Sequence, residues 1–250
     1  MYFDEFDNPD LALVAPFMPT DEAMARALLK LGQVNENDVL YDLGSGDGSI
    51  VVLAASEFGA RGVGVELDPV RLRESRELAS LAGVEQRVEF HQQDLFETNV
   101  SAATVVTLYL LPDVHVALKR RLLAQLAPGA RILSHSFNLG QWRPDKTIEA
   151  GGLGLYKWVV PAQVSGRWQW YQGENRYEVA LEQRFQKLIG KAWLNGENIK
   201  LSTAIIRGRR LTLELEGEAG RQRFVFRYVN PQQLQPTGGT EATAATLTMA

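Results

Sequence analysis

The segment Asp42-Leu-Gly-Ser-Gly-Asp-Gly48 sets three alternating glycines and two carboxylates where an apolar run meets a helical stretch. Glycine belongs where the backbone takes φ > 0 or must approach a ligand closely. The start of the following helix supplies free N–H groups and the positive end of a dipole. Glu66 ends the next apolar run, 20 residues after Gly46. A carboxylate there can accept both hydroxyls of a ribose. Asp94 closes a third run in Gln92-Gln93-Asp94-Leu95. The spacing describes a nucleoside crevice at the carboxyl ends of adjacent parallel strands.

The loop's chemistry narrows the nucleoside. A dinucleotide fingerprint needs glycine at position 49, where this chain has Ser49. Asp42 and Asp47 would repel a pyrophosphate and suit a cationic ligand bearing an amino group. S-adenosylmethionine, with its sulfonium, α-amino group, ribose and adenine, is such a ligand. No Gly-Lys-Ser/Thr follows the loop, which excludes a P-loop. The acids lack the alternation of a calcium loop.

The elements that must position these residues alternate between helix and strand from Thr20 to about Val160. Thr20 is expected to cap a first helix that Gly32 ends. Val39–Leu43, Gly62–Glu66, Arg87–His91, Thr104–Leu110 and Ala130–Phe137 read as strands. Ser49–Phe58, the stretch from Asp68-Pro69 to Gly83, and Val114–Leu126 read as helices. This pattern implies an α/β, Rossmann-like, doubly wound and mostly parallel sheet with helices on both faces. Thr147–Glu149 and Leu155–Val160 flank Gly151–Gly154 as a hairpin that finishes the sheet. From Gly166 the chain is all β, with short turns at Gln172-Gly173, Asn195-Gly196, Arg207-Gly208 and Glu218–Gly220. An antiparallel meander of five or six strands is expected there, with Trp168, Trp170, Tyr171 and Trp193 as core aromatics. The expected division is a cofactor domain over 1–161, a β module over 162–230 and a disordered tail over 231–250.

The chain has 250 residues, 45% hydrophobic and 22% charged. That is enough apolar content for a sizeable core. The absence of cysteine excludes disulfides, thiolate metal sites and a cysteine nucleophile. His91, His115 and His135 are too far apart for a local metal motif, so no metal is expected. The acidic start lacks the basic region of a secretory signal, and the run from Leu11 to Met18 is too short to span a bilayer. A cytoplasmic protein is the resulting expectation. Net charge is −9 over residues 1–154 and +6 over 155–230, which suggests two regions with different tasks.

The loop Asp42–Gly48 resembles motif I of the class I S-adenosylmethionine-dependent methyltransferases. Val65-Glu-Leu-Asp-Pro69 is similar to their second motif, and Gln92–Leu95 sits where that family holds adenine. Pro19-Thr20, Tyr41–Gly48 and Leu108-Tyr-Leu-Leu-Pro112 more narrowly resemble a bacterial and mitochondrial group that includes protein-lysine methyltransferases. The resemblance implies that Gly44, Ser45, Gly46, Asp47 and Gly48 pass the methionine moiety and that Asp42 orients its amino group. Glu66 would hold the ribose and Leu67 would pack on adenine. Asp94 would accept from the adenine amino group beside Gln93, with Leu95 donating its backbone N–H. Thr20 would close over the cofactor carboxylate. Tyr109 and Asp113 are the candidates for handling an acceptor amine, although Asp113 also suits the N-cap of the helix that follows. Structural roles are expected for His115 and His135. Nucleobase amino-methylating enzymes carry Asn/Asp-Pro-Pro-aromatic where this chain has Tyr-Leu-Leu-Pro, so no nucleic-acid partner is expected. The expected acceptor is a protein lysine, with a small molecule as the alternative. A non-catalytic cofactor-binding module that docks a partner through the β region and an NAD-dependent oxidoreductase are the competing readings.

Overall fold

The computed structural model describes residues 17–218, 220–237 and 241–248. The acidic start and most of the apolar run from Leu11 to Met18 lie outside these residues. The chain divides into two units between Val159 and Val160.

The first unit is built on seven strands: β1 (Val39–Leu43), β2 (Arg61–Glu66), β3 (Val88–Gln92), β4 (Val105–Leu108), β5 (Arg131–His135), β6 (Lys146–Ala150) and β7 (Leu153–Val159). They lie in the order β3-β2-β1-β4-β5-β7-β6. The first five are parallel, and β7 runs antiparallel to both β5 and β6, so the expected terminal hairpin is present. Helices α1 (Glu22–Gly32), α2 (Ser49–Phe58) and α3 (Pro69–Leu81) precede β1, β2 and β3, and α4 (Pro112–Gln125) links β4 to β5. No helix links β3 to β4.

Strand order reverses between β1 and β4, which opens a crevice at their carboxyl ends. Right-handed crossovers then place α4 on the face opposite α2 and α3. Leu28, Leu29, Leu40, Val51, Val105, Leu133 and Leu155 form the centre of the core on the α1–α2 side. β4 is buried at all four positions, as a central parallel strand should be. At the amino ends of the central strands, away from the crevice, buried Asp38 accepts from the Thr104 hydroxyl at 2.7 Å and pairs with Arg131. That network ties the beginnings of β1, β4 and β5 together.

Two helix starts differ from the expectation. Asp21, not Thr20, caps α1, accepting from the backbone N–H of Ala23 at 2.9 Å and of Met24 at 3.3 Å. A carboxylate one residue closer to the helix reaches both N–H groups that Thr20 would have to satisfy. Leu111, not Asp113, occupies the N-cap position of α4, because Pro112 fills the first helical position with its fixed φ. Asp68 caps α3 as expected, with Pro69 behind it.

The second unit consists of eight strands: β8 (Gly166–Gln172), β9 (Asn175–Arg184), β10 (Lys187–Leu194), β11 (Glu197–Arg207), β12 (Arg210–Gly217), β13 (Gly220–Asn230), β14 (Gln233–Pro236) and β15 (Ala245–Thr248). They form a closed antiparallel barrel. The expected meander of five or six strands corresponds to β8–β13, whereas the tail expected to be disordered adds β14 and β15 and closes the barrel. β14 pairs with β13, and β15 pairs with both β14 and β8. The composition of the tail is polar because the two strands are short and present only Leu234 and Ala245 fully to the interior. Closure removes the exposed edges that β13 and β8 would otherwise carry. Trp168, Trp170, Tyr177, Phe224 and Phe226 fill the barrel, with the Trp170 and Tyr177 rings stacked at 5.6 Å. Tyr171 points outward and Trp193 is half-buried beneath Arg167, so only two of the four aromatics expected in the core lie fully inside.

Deleting residues 231–250 should destabilise the barrel by at least about 3 kcal/mol, the scale of losing one buried leucine, before the cost of two open edges. Urea denaturation followed by tryptophan fluorescence measures this. An unchanged barrel transition would mean that β14 and β15 add nothing to its stability.

Candidate cofactor site

Each glycine of the β1–α2 turn has positive φ: 79° at Gly44, 51° at Gly46 and 78° at Gly48. The turn folds back on β2, with the N–H groups of Gly44 and Ser45 both donating to the Val65 carbonyl at 2.9 and 3.0 Å. Gly48 also has no room for a side chain, since a Cβ would stand 2.7 Å from the Ser75 Cβ and 2.8 Å from the Phe90 ring.

The Glu66 carboxylate organises this turn. One oxygen accepts from the Gly46 N–H at 2.9 Å. The other accepts from the Leu67 and Asp68 N–H groups at 2.7 and 3.0 Å. The glycine loop and the entrance to α3 are therefore held by one side chain. Asp94 Oδ1 similarly accepts from the Phe96 N–H at 2.7 Å, which shapes the turn after β3. Gln93 joins it to β2 through its N–H to the Glu66 carbonyl at 3.2 Å.

Asp42 ends β1 almost fully buried and accepts from the Thr107 hydroxyl of β4 at 2.6 Å. Burial pushes its carboxyl pKa up to about 7, and the neighbouring charges of Asp47 and Glu66 act in the same direction, while the Thr107 hydrogen bond opposes them. Such a carboxyl is poised to ionise when a cation arrives.

Of the sequence-derived site residues, Thr20, Asp42, Gly44, Ser45, Gly46, Asp47, Glu66, Leu67, Gln93, Asp94, Leu95 and Tyr109 line a single cavity. Gly48 stands behind it at the helix start. Asp113 does not line it. Asp113 is exposed in the first turn of α4, where a carboxylate complements the helix dipole, so the fold offers no contact between it and an acceptor in this cavity.

Sequence reasoning missed Phe17, Ile50, Arg71 and Leu110 in the lining. Arg71 is buried, pairs with Glu74 at 2.9 Å and stands over the Phe17 ring at 3.9 Å. Its place in the first turn of α3, beside Asp68, was the available signal. His135, for which a structural role was expected, lies beside Tyr109. It is 4% exposed, neither ring nitrogen has a hydrogen-bond partner among the described residues, and its ring lies 4.0 Å from that of Tyr109. Burial lowers its pKa. Ser136, immediately after it, has φ 66°, a strained conformation for a non-glycine residue. His115 has the structural role expected of it: its Nε2 accepts from the Leu110 N–H at 3.2 Å.

These features fit a cationic nucleoside ligand. The glycine cradle excludes side chains, and the Ser45 hydroxyl is buried on the cavity wall without a partner among the described residues. Asp42, Asp47, Glu66, Asp68 and Asp94 face a single lining cation, Arg71. No helix of the described residues is long and apolar enough to cross a membrane.

The family described as the ANTKMT methyltransferase domain matches residues 42–146. A protein-lysine N-methyltransferase of Saccharolobus islandicus is 39% identical over 150 residues, which cover 58% of this chain and 93% of that protein. The adenine nucleotide translocase lysine N-methyltransferase of Mus musculus is 33% identical over 147 residues, and the match covers 58% of this chain and 63% of the mouse protein. A crystal structure described as an RNA methyltransferase from Salinibacter ruber in complex with S-adenosyl-L-homocysteine has 50% identity and a TM-score of 0.58, covering 59% of this chain and 96% of that one. With its strand order, its glycine turn and the acid at the end of β2, the chain belongs to the class I S-adenosylmethionine-dependent methyltransferases, in the family that includes these lysine N-methyltransferases.

Proposed function

We propose that this methyltransferase acts on the ε-amino group of a protein lysine. The observation that carries the reading is the charge of the cavity: five carboxyl groups and one guanidinium line it. Such a wall attracts an amine and repels a phosphodiester. The names of the Saccharolobus and mouse relatives point to the same acceptor.

When bound, S-adenosylmethionine supplies an electrophilic methyl group on its sulfonium. The residues of this chain bind and orient. Glu66 holds a ribose hydroxyl while it keeps its grip on the loop, since a carboxylate offers about four acceptor sites and three are used by backbone N–H groups. Asp94 and the Leu95 N–H read adenine, and Leu67 packs on it. Asp42 takes the amino group, Thr20 and Ser45 serve the methionine carboxylate end, and Gln93 supports the adenine turn. Tyr109 borders the acceptor's approach, and the buried His135 ring packs against it at a tilt of 41°. An amine that arrives neutral needs alignment and exclusion of water more than a strong base.

Glu66→Ala should weaken S-adenosylhomocysteine binding at least tenfold. One charge-assisted hydrogen bond, at about 1.5–3 kcal/mol, exceeds the roughly 1.4 kcal/mol that this requires. The melting temperature should fall as well, because three backbone donors lose their acceptor. Calorimetry well below the transition separates the two effects, and unchanged affinity in the folded variant would rule out the ribose role.

Asp42 predicts a pH dependence. Its carboxyl, raised to about 7 in the free protein, must lose its proton to pair with an ammonium group. Affinity for S-adenosylmethionine should therefore rise from about pH 6 to about pH 7.5, then decline as the ligand's own α-amino group, with a pKa near about 8, deprotonates. Asp42→Asn should flatten the acid limb. A variant that kept the wild-type slope would assign that slope to another group.

The acceptor itself is identified by incubating the full chain with labelled S-adenosylmethionine and a lysate of its host. Label on the ε-nitrogen of a lysine, located by mass spectrometry, is the expected result. Label that resists protease and is released by ribonuclease would replace the lysine reading with RNA, the substrate class named for the Salinibacter ruber structure.

A further inference from the structure

In the barrel, successive turns alternate between its two ends. The turns between β8 and β9, β10 and β11, and β12 and β13, and the connection from β14 to β15, lie at one end. Each contains or adjoins a glutamate: Glu174, Glu197, Glu218 and Glu241. The turns between β9 and β10, β11 and β12, and β13 and β14 lie at the other end, where the chain also enters the barrel. That end carries Arg184, Lys187, Arg207, Arg209, Arg210 and Arg227, all exposed, and its turns contain no acid. The nearest acid along these strands is Glu182. The barrel is thus polarised along its axis.

Register sharpens the contrast. Arg207 pairs with Arg210, and Arg210 pairs with Arg227, so three guanidinium side chains stand in one row across β11, β12 and β13. Like charges directly opposite one another destabilise a sheet. None of the three has a carboxylate partner among the described residues. Toward the other end the same strands set Arg223 opposite Glu214, Arg221 opposite Glu216, and Glu216 opposite Lys200. The strands therefore neutralise their cations where the opportunity exists and leave this row bare.

The row calls for an anion, and its surroundings indicate which. Five of the six cations are arginine, whose planar fork matches a phosphate group. Between them stand exposed aliphatic side chains: Ile205, 40% exposed and opposite Lys187, and Val229, 43% exposed and two residues beyond Arg227. The large aromatic exposed on this barrel, Tyr171, adjoins the acidic end. Sequence-tolerant nucleic-acid binders need exposed aromatics as stacking platforms, and this end presents none among the described residues. Arginines interspersed with protruding aliphatics suit a phospholipid surface, where the cations meet headgroups and the apolar tips enter the interface. We propose that the basic end of the barrel docks on an anionic phospholipid surface.

The test uses the full chain and sedimentation with phosphatidylcholine vesicles, with and without about 30% phosphatidylserine. Binding is expected only to the anionic vesicles, and raising salt from about 0.1 to about 0.5 M should release the protein. A variant with R207E, R210E and R227E should bind at least tenfold more weakly. Its melting temperature and S-adenosylhomocysteine affinity should be little changed, because the substitutions exchange one like-charged row for another, far in sequence from the residues that line the cavity. The same variant with glutamine at the three positions should be intermediate. Failure of the wild-type chain to bind anionic vesicles, or binding that survives both the salt and the triple reversal, would overturn the proposal. Salt-sensitive binding to a labelled single-stranded RNA with none to vesicles would also overturn it and assign the patch to nucleic acid.

Discussion

One carboxylate governs the geometry of the cofactor domain. Glu66 sits at the tip of β2 and accepts three backbone N–H groups from two different strand-to-helix turns. The glycine loop can stay open because it is held from outside. Its left-handed turns at Gly44, Gly46 and Gly48 leave it one internal backbone bond, from the Gly48 N–H to the Ser45 carbonyl at 2.9 Å, and Ser75 and Phe90 exclude a side chain at Gly48. Everything that lines the cavity follows from where that loop is held. Ser45 is turned inward, Asp42 is sealed beneath it, and α2 begins directly behind it.

Asp42 illustrates how the sheet supports such a loop. A carboxyl this deeply buried is costly unless it is bonded, and Thr107 on the neighbouring strand supplies the bond. The two residues are register partners across β1 and β4, the pair at which strand order reverses. The crevice and its most perturbed acid thus arise from the same topological feature. At the amino ends of the same sheet, Asp38 and Arg131 perform a purely structural version of the same task.

Much of this was legible in the sequence because the signals were local. Glycine spacing, a capping Asp68-Pro69 and unbroken apolar strands each depend on a few adjacent residues. Most residues that line the cavity were readable for the same reason, since they fall at strand ends that periodicity locates. The failures were non-local. Barrel closure joins Trp168 to Leu247, and nothing in the polar composition around Leu247 announces a partner so distant in the chain. Arg71 and His135 reach the site or its margin through packing, from a helix turn and from a strand outside the glycine motif. Asp113 was a candidate for handling an acceptor amine, but it lies in the first turn of α4 and does not line the cavity.

The closing pair of strands also sets the order in which the chain can mature during synthesis. All seven strands of the cofactor sheet are complete once residue 159 has emerged. The barrel has no such early stage. β8 must wait for β15, since Gln169 pairs with Thr246 and Trp168 with Leu247, strands far apart in the chain. Contacts of that separation form slowly, since loop closure precedes any gain from pairing. The nascent protein therefore carries a foldable sheet domain followed by a half-built barrel with two open edges and a cluster of exposed aromatics. That interval, rather than the finished state, is when the molecule is most exposed to aggregation and to chaperones.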